Sequence, residues 1–138
     1  MNLDAPISLE ELKEAAVTMQ RNKSPGIDGI PTELYITFWD KLGPLMLDMV
    51  RTSIDEGFSR DVNLALISLL LKKDKDPVDC ASYRPLSLLN ADLKIYAKVL
   101  AIRIQNHMPK LVNCDQTGFI KGRMAADNVR RLLHVVDR

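Results

Sequence analysis

The chain has 138 residues, of which 46% are hydrophobic and 27% are charged. This composition predicts a folded domain with its own core and excludes an intrinsically disordered tail. The sequence has neither a long apolar run nor a basic start followed by an apolar stretch, so it indicates no membrane span and no secretory signal. We therefore expect an intracellular protein, in the nucleus or the cytoplasm, that binds no membrane and keeps Cys80 and Cys114 as free thiols.

Charge is unevenly distributed along the chain, although the net charge is only +1. Residues 1–66 contain six basic and eleven acidic side chains, whereas residues 67–138 contain thirteen basic and seven acidic ones. The second half is therefore the basic half, which favours a surface that faces a polyanion.

The first third of the chain has the apolar spacing of helices. Ser8 and Glu11 match a capping box, and the apolar residues that follow predict a helix over about residues 8–22. Two further helices are expected, one capped by Thr32 and broken near Gly43 and Pro44, and one over about residues 44–56. Together these helices predict a scaffold over about residues 8–57.

Residues 23–31 (KSPGIDGIP) separate the first two helices. They predict a shaped loop, because Gly takes positive φ freely whereas Pro fixes φ and removes a backbone donor. The composition leaves two interpretations open, a backbone loop held close to a ligand or a plain connector between helices. The residues that define this loop motif are Pro25, Gly26, Asp28 and Gly29.

A strand, a polar loop and a returning strand are predicted over about residues 64–89. An apolar run at about 64–71 ends in a loop with several lysines, and a second apolar run begins directly behind Arg84 and Pro85, within a predicted strand at about 84–89. Lys supplies a mobile point charge and Arg a planar fork of donors, a combination suited to a phosphate chain or a nucleic-acid backbone. Because two strands alone are marginally stable in water, we expect the helices to support them.

The remaining sequence predicts two more helices, over about residues 92–108 and 125–138, with a Gly-containing turn between them. In the first of these helices the expected apolar stripe is Leu93, Tyr96, Leu100 and Ile104, with Pro109 closing the helix. The predicted fold class is α+β, mostly helical, with one small antiparallel strand pair, over a single domain of residues 1–138.

Five segments in a fixed order resemble the reverse transcriptase of non-LTR retrotransposons, the long interspersed element type. They are residues 23–30 (KSPGIDGI), 67–77 (ISLLLKKDKDP), 83–95 (YRPLSLLNADLKI), 98–104 (KVLAIRI) and 115–123 (DQTGFIKGR). The resemblance covers the chain from about Ser8 onward. It implies an RNA-directed DNA polymerase, a nucleotidyltransferase of a transposable element, of which this chain would be a partial domain, the fingers and the start of the palm of a right-hand polymerase fold.

The same resemblance implies roles for individual residues. Lys72 and Arg84 would bind the phosphates of the incoming deoxynucleoside triphosphate. A second group would contact nucleic acid or shape the nucleotide pocket: Lys73, Gly118, Phe119, Gly122 and Arg123. The implied partners are an RNA template, a DNA primer, the deoxynucleoside triphosphate and the rest of the polymerase, including its palm.

The resemblance implies no catalytic residue, metal ligand or cofactor in this chain. In such polymerases, palm aspartates, including a Tyr/Phe-x-Asp-Asp turn, hold two metal ions, and no such turn occurs in this sequence. We therefore expect Mg²⁺ only in the full-length polymerase and no activity from this chain alone. Two alternatives remain open: a noncatalytic nucleic-acid-binding fragment, or a helical interaction module left by truncation.

Overall fold

The computed structural model describes residues 3–136. The elements in chain order are α1 (Leu9–Val17), α2 (Thr32–Thr37), α3 (Trp39–Glu56), β1 (Ala65–Leu71), β2 (Tyr83–Leu89), α4 (Ala91–Leu111) and α5 (Ala125–Val136), with a short 3₁₀ turn at Cys80–Ser82. The predicted α+β, mostly helical class with an antiparallel strand pair is confirmed. Within the described part of the chain, no helix is both long enough and apolar enough to cross a membrane.

The chain forms two compact units, residues 6–99 and residues 3–5 with 100–136. The larger unit contains α1, α2, α3 and both strands, and α4 contributes residues to each unit. The apolar side chains buried in the larger unit come from Ile7 and from α1, α3 and α4: Ile7, Leu12, Ala15, Ala16, Trp39, Met46, Val50, Ala91, Ile95 and Val99. Ile120 is a buried apolar residue of the smaller unit.

The predicted capping box at the start of α1 is confirmed. The Ser8 hydroxyl accepts a hydrogen bond from the Glu11 backbone N–H at 3.2 Å, and the Glu11 carboxylate accepts one from the Ser8 N–H at 3.0 Å. The helix ends at Val17, earlier than predicted, because the Thr18 hydroxyl donates back to the carbonyls of the last turn. Such local bonds satisfy carbonyls that would otherwise lack donors.

The predicted break between the second and third helices is in the wrong place. The chain breaks at Phe38 (φ −106°, ψ 30°), and α3 runs without interruption through Gly43 and Pro44. A Cβ at Gly43 would lie 2.8 Å from the Trp39 ring, so the glycine makes room for a buried indole. A Gly-Pro pair ordinarily marks the end of a helix. Here the Trp39 ring packs closely over Gly43, and both residues of the pair lie inside α3.

The predicted side-chain cap of Thr32 is also absent. Thr32 is the first residue of α2, and Pro31 precedes it without a capping side-chain bond. Asn90 precedes α4 and its main-chain carbonyl accepts the Lys94 N–H at 3.2 Å, but its side-chain Oδ1 has no hydrogen-bond partner among the described residues. The helix then continues through Pro109 to Leu111, past its predicted end.

The two strands form an antiparallel hairpin whose register pairs Ala65 with Leu89 and Leu71 with Tyr83. These bounds agree with the predicted strand pair to within one residue. Most side chains on both faces of the hairpin are exposed, including Ile67 and Leu69, each 63% exposed. The hairpin therefore presents apolar surface that the described residues do not cover.

Candidate functional site

The loop end of the hairpin, where residues 72–82 connect β1 to β2, brings together the two residues that the sequence analysis assigned to phosphate binding. Arg84 pairs with Leu70 in the register, and the ladder continues through a bond of 2.8 Å from the Lys72 N–H to the Ser82 carbonyl. Alternate residues of a strand lie on one face, so Lys72 and Arg84 are diagonal neighbours on the same face. Such neighbours are about 7–8 Å apart in an antiparallel pair, which places both cations within reach of one phosphate chain.

Lys72 is held in position at this end of the hairpin. Its side chain is half-buried, and its ammonium donates to the Ala81 carbonyl at 2.7 Å. Asp79 orders the same turn, because its carboxylate accepts the Ala81 N–H at 2.9 Å. An ammonium has three donors, so two remain for a ligand. Lys73 and Arg84 are exposed beside it.

The loop motif packs against the other end of the hairpin, where β2 meets α4. A Cβ at Gly26 would lie 2.5 Å from the Asn90 backbone N and 2.6 Å from the Leu89 carbonyl carbon, so only glycine fits there. The Asp28 carboxylate accepts the Ile30 N–H at 3.0 Å, and Gly29 has φ +70°. The loop therefore has a defined shape and packs closely against the junction of β2 and α4.

Asp28 of this loop also influences two half-buried groups. Burial raises the pKa of the Asp92 carboxyl, and the nearby Asp28 carboxylate raises it further, although the Leu93 N–H bond opposes both. Burial, together with the negative charges of Asp92 and Asp28, raises the pKa of Tyr35 to about 12. The Asp92 carboxyl and the Tyr35 phenol are therefore both partly desolvated and both feel the charge of the exposed Asp28.

Replacing Asp92 with asparagine is expected to make stability less dependent on pH. A carboxyl with a raised pKa in the folded state contributes most to the free energy of unfolding when it is protonated, and this contribution is lost as the pH rises through the folded pKa. Asparagine keeps an acceptor for the Leu93 N–H but carries no charge. Urea unfolding at about pH 4 and about pH 7 should therefore show a gain of Asp92→Asn over wild type that grows with pH.

The exposed Asp40 of α3 provides the matched control for this measurement, since Asp40→Asn removes the same charge from a solvated site. An equal effect of Asp92→Asn at both pH values would contradict the assignment of a raised pKa to Asp92.

The third block, residues 118–123, lies in the smaller unit. The Arg123 guanidinium donates to four backbone carbonyls, those of Pro109, Val112, Asn113 and Gln116, at 2.6–3.2 Å. Its two terminal nitrogens are thereby engaged at the end of α4, so Arg123 acts on the shape of the turn. Phe119 has φ +60° and a fully exposed ring, and Gly122 has φ +82°. Contact of Gly118, Phe119 and Gly122 with nucleic acid stays a prediction.

Residues 3–136 offer no group of three or more His, Cys, Asp or Glu side chains that could hold a metal ion. The Mg²⁺ that the sequence analysis expects in the full-length polymerase stays a prediction. Both cysteines are free and exposed.

Two lysines that lie near the loop motif in the structure were not assigned a role from the sequence. Lys94 and Lys98 lie half-buried on the first turns of α4, and the Lys94 ammonium is 3.5 Å from the Ser24 carbonyl of the loop. Their spacing of four places both on one helix face, which is the signal that the sequence offered. The loop that they face could not be identified from this spacing.

No family model matches the chain. It is 38% identical over 140 residues to the transposon TX1 uncharacterized 149 kDa protein of Xenopus laevis, across 99% of this chain and 11% of that protein. The probable RNA-directed DNA polymerase from transposon BS of Drosophila melanogaster is 29% identical over 131 residues, across 92% of this chain and 14% of that protein. The retrovirus-related Pol polyprotein from type-1 retrotransposable element R2 of Nasonia vitripennis is 29% identical over 131 residues, across 95% and 12%. The chain thus spans only 11–14% of the length of these curated relatives.

Proposed function

Because this chain is related over most of its length to the reverse transcriptases of non-LTR retrotransposons, we propose that it forms the fingers of an RNA-directed DNA polymerase. In this role it binds the RNA template and DNA primer and contacts the phosphates of the incoming deoxynucleoside triphosphate. The observation that carries the proposal is the position of Lys72 and Arg84 on one face at the loop end of the hairpin.

The geometry at Lys72 supports this nucleotide role. Its bond to the Ala81 carbonyl holds the ammonium at the loop end of the hairpin, so less side-chain freedom is lost when a phosphate binds. Arg84 remains exposed and can offer two parallel donors to phosphate oxygens. The two side chains together would neutralise charge that a triphosphate brings to the site.

The uncovered apolar faces of the hairpin support a second part of the proposal, contact with the rest of the polymerase. Ile67 and Leu69 on one face and Leu66 and Leu70 on the other are each about half exposed or more. Exposed apolar surface of this extent commonly marks an interface. We expect the palm of a right-hand polymerase fold to cover part of it.

Catalysis would depend on groups outside the described residues. Enzymatic phosphoryl transfer relies mainly on positioning and electrostatic stabilisation, and this chain would supply cations to that process while the palm supplies the metal ligands. The isolated chain is therefore expected to bind its ligands without extending a primer.

The proposal is tested by binding of the 138-residue chain to an RNA–DNA primer–template, with and without the matched deoxynucleotide, across a salt series. The matched nucleotide should tighten binding of the wild type, and Lys72→Ala/Arg84→Ala should weaken this nucleotide effect by roughly tenfold or more, since each charge-assisted bond contributes about 1.5–3 kcal/mol before solvent screening. The control is Lys13→Ala/Lys41→Ala, which removes two exposed cations from α1 and α3.

Each alternative function gives a different result in this experiment. Salt-dependent binding that ignores the nucleotide would favour a noncatalytic nucleic-acid-binding protein, for which the basic half of the chain provides the charge. The complete absence of binding at low salt would favour a helical interaction module and would overturn the proposal.

A further inference from the structure

A pocket of about 400 Å³ lies in the larger unit between the end of α1, the loop motif and the start of α4. Its volume is within the range of cavities that bind small ligands. Three of its lining residues are lysines, Lys23 from the loop and Lys94 and Lys98 from α4. None of the described residues that line it is acidic.

The charge in this pocket is not neutralised by neighbouring side chains. Among residues 3–136, neither Lys23 nor Lys98 forms an ion pair, and the bond of Lys94 is to a backbone carbonyl, that of Ser24, at 3.5 Å. Lys94 and Lys98 are also half-buried, so their charges are screened less than those of fully exposed lysines. Three cations around one concave surface favour an anion as its occupant.

The backbone and hydroxyl groups around the pocket also favour an anionic occupant. Ala91, the first residue of α4, lines the pocket, so the positive end of that helix is directed to the same region. The negative end of α1 also borders it, but its last carbonyls accept hydrogen bonds from Thr18 and Met19. The hydroxyls of Ser24 and Thr32 add donors that suit phosphate oxygens.

The pocket is separate from the nucleotide site proposed at the loop end of the hairpin. Its loop contacts the chain at Leu89 and Asn90, whereas Arg84 lies five residues earlier on β2. A strand rises about 3.4 Å per residue, so the two regions are about 17 Å apart along the strand. This separation exceeds the length of a triphosphate group, so one bound nucleotide cannot place its phosphates in both.

We propose that the pocket formed by Lys23, Lys94 and Lys98 binds a phosphodiester group of a nucleic-acid strand. The inference rests on the proposed function in that it requires the chain to bind nucleic acid. A strand that reaches both regions would provide one phosphate to the pocket while a nucleotide occupies the site at Lys72 and Arg84. The apolar lining, which includes Met19, Pro25 and Ile30, would contact the adjoining sugar or base.

Lysine footprinting of the wild-type chain is the direct test. The chain is acetylated with and without a short single-stranded RNA, and the modified lysines are quantified by mass spectrometry. RNA should reduce the modification of Lys94 and Lys98 severalfold and leave Lys13 and Lys41, which are exposed on other helices, unchanged. Inorganic phosphate and the free nucleotide at equal phosphate concentration serve as parallel probes, and both should protect much less than RNA does.

The variant Lys94→Gln/Lys98→Gln adds a quantitative test. Its affinity for the RNA should fall about tenfold near physiological salt, and the slope of log affinity against log salt should decrease by about 0.7–1, as expected when one phosphate contact is lost. The effect of the nucleotide at Lys72 and Arg84 should remain. The control Lys13→Gln/Lys41→Gln should change neither quantity.

The outcomes separate this inference from the proposed function. RNA binding without protection of Lys94 and Lys98 would overturn the inference while the proposed function stands. Protection by free phosphate equal to that by RNA would also overturn it, because the pocket would then bind a small anion and not a strand. Absence of any RNA binding would overturn both.

Discussion

Replacing Gly26 with alanine is expected to lower the free energy of unfolding by about 3 kcal/mol, at the upper end of the usual cost of overpacking. The added Cβ would lie 2.5 Å from the Asn90 backbone N and 2.6 Å from the Leu89 carbonyl carbon. These are main-chain atoms at the junction of β2 and α4, so no side-chain rotation can relieve the contact. Either the loop or the junction must move.

Urea unfolding followed by circular dichroism would measure this change. Gly118→Ala is the matched control, because the nearest atom to its added Cβ, Gln116 Nε2, is 3.7 Å away, an ordinary contact. The control should remain within about 0.5 kcal/mol of wild type. An unchanged unfolding midpoint for Gly26→Ala would show that the loop does not pack against Asn90 as described.

The same substitution connects stability with ligand binding. Gly26 is next to Pro25, which lines the pocket together with Lys23 and Lys94. A loop displaced from Asn90 would therefore change the shape of the pocket, and RNA should protect Lys94 less in a folded Gly26→Ala protein than in wild type. The site at Lys72, at the opposite end of the hairpin, should be affected less.

The features that could be predicted from the sequence are those specified by neighbouring residues. The capping box of Ser8 and Glu11 needs only four consecutive residues, and the strand pair follows from two apolar runs with a polar turn between them. The position of Lys72 and Arg84 as diagonal neighbours on one face follows from that register. These features required no knowledge of the rest of the fold.

The features that were missed depend on residues distant in sequence. Gly26 was assigned to a shaped loop, but its close contact with Asn90 requires the junction of β2 and α4 to be in place. Similarly, Gly43 has the sequence signal of a helix break, and the ring of Trp39 packed over it explains why the helix continues. A propensity is overridden where tertiary packing favours another conformation.

The buried face of α4 also could not be predicted from the sequence alone. The predicted stripe included Tyr96 and Ile104, whereas the residues of α4 that are buried are Ala91, Ile95, Val99 and Arg103. The two stripes are adjacent on the helix, and apolar residues occur on both, so periodicity alone cannot decide between them. An arginine on the buried stripe also contradicts the usual preference of charged side chains for the surface.

Arg103 is buried because backbone carbonyls satisfy its guanidinium. It is 4% exposed, and it donates to the Ala5 carbonyl at 2.6 Å and to the Leu3 carbonyl at 3.1 Å. Buried charge is tolerated when its donors are satisfied in this way. The arginine therefore attaches the N-terminal segment of the smaller unit to α4.

Replacing Arg103 with methionine is expected to lower the free energy of unfolding by about 3 kcal/mol, because hydrogen bonds to charged groups contribute about 1.5–3 kcal/mol each and the two carbonyls would lose their donor. Methionine keeps much of the side-chain volume, so the loss reports on the polar contacts more than on packing. The matched control is Arg130→Met on α5, whose side chain is 82% exposed and which should cost less than about 1 kcal/mol.

Hydrogen exchange would show which part of the chain loses stability in Arg103→Met, as well as how much. Amides of residues 3–8 and 100–107 should exchange faster in Arg103→Met than in wild type, while those of β1 should lose protection only in proportion to global unfolding. Arg103→Lys should recover part of the stability, because one ammonium can replace some of the donors but not the planar fork. Equal unfolding midpoints for Arg103→Met and Arg130→Met would mean that the bonds to Leu3 and Ala5 contribute no net stability, and that burial of the arginine has another cause.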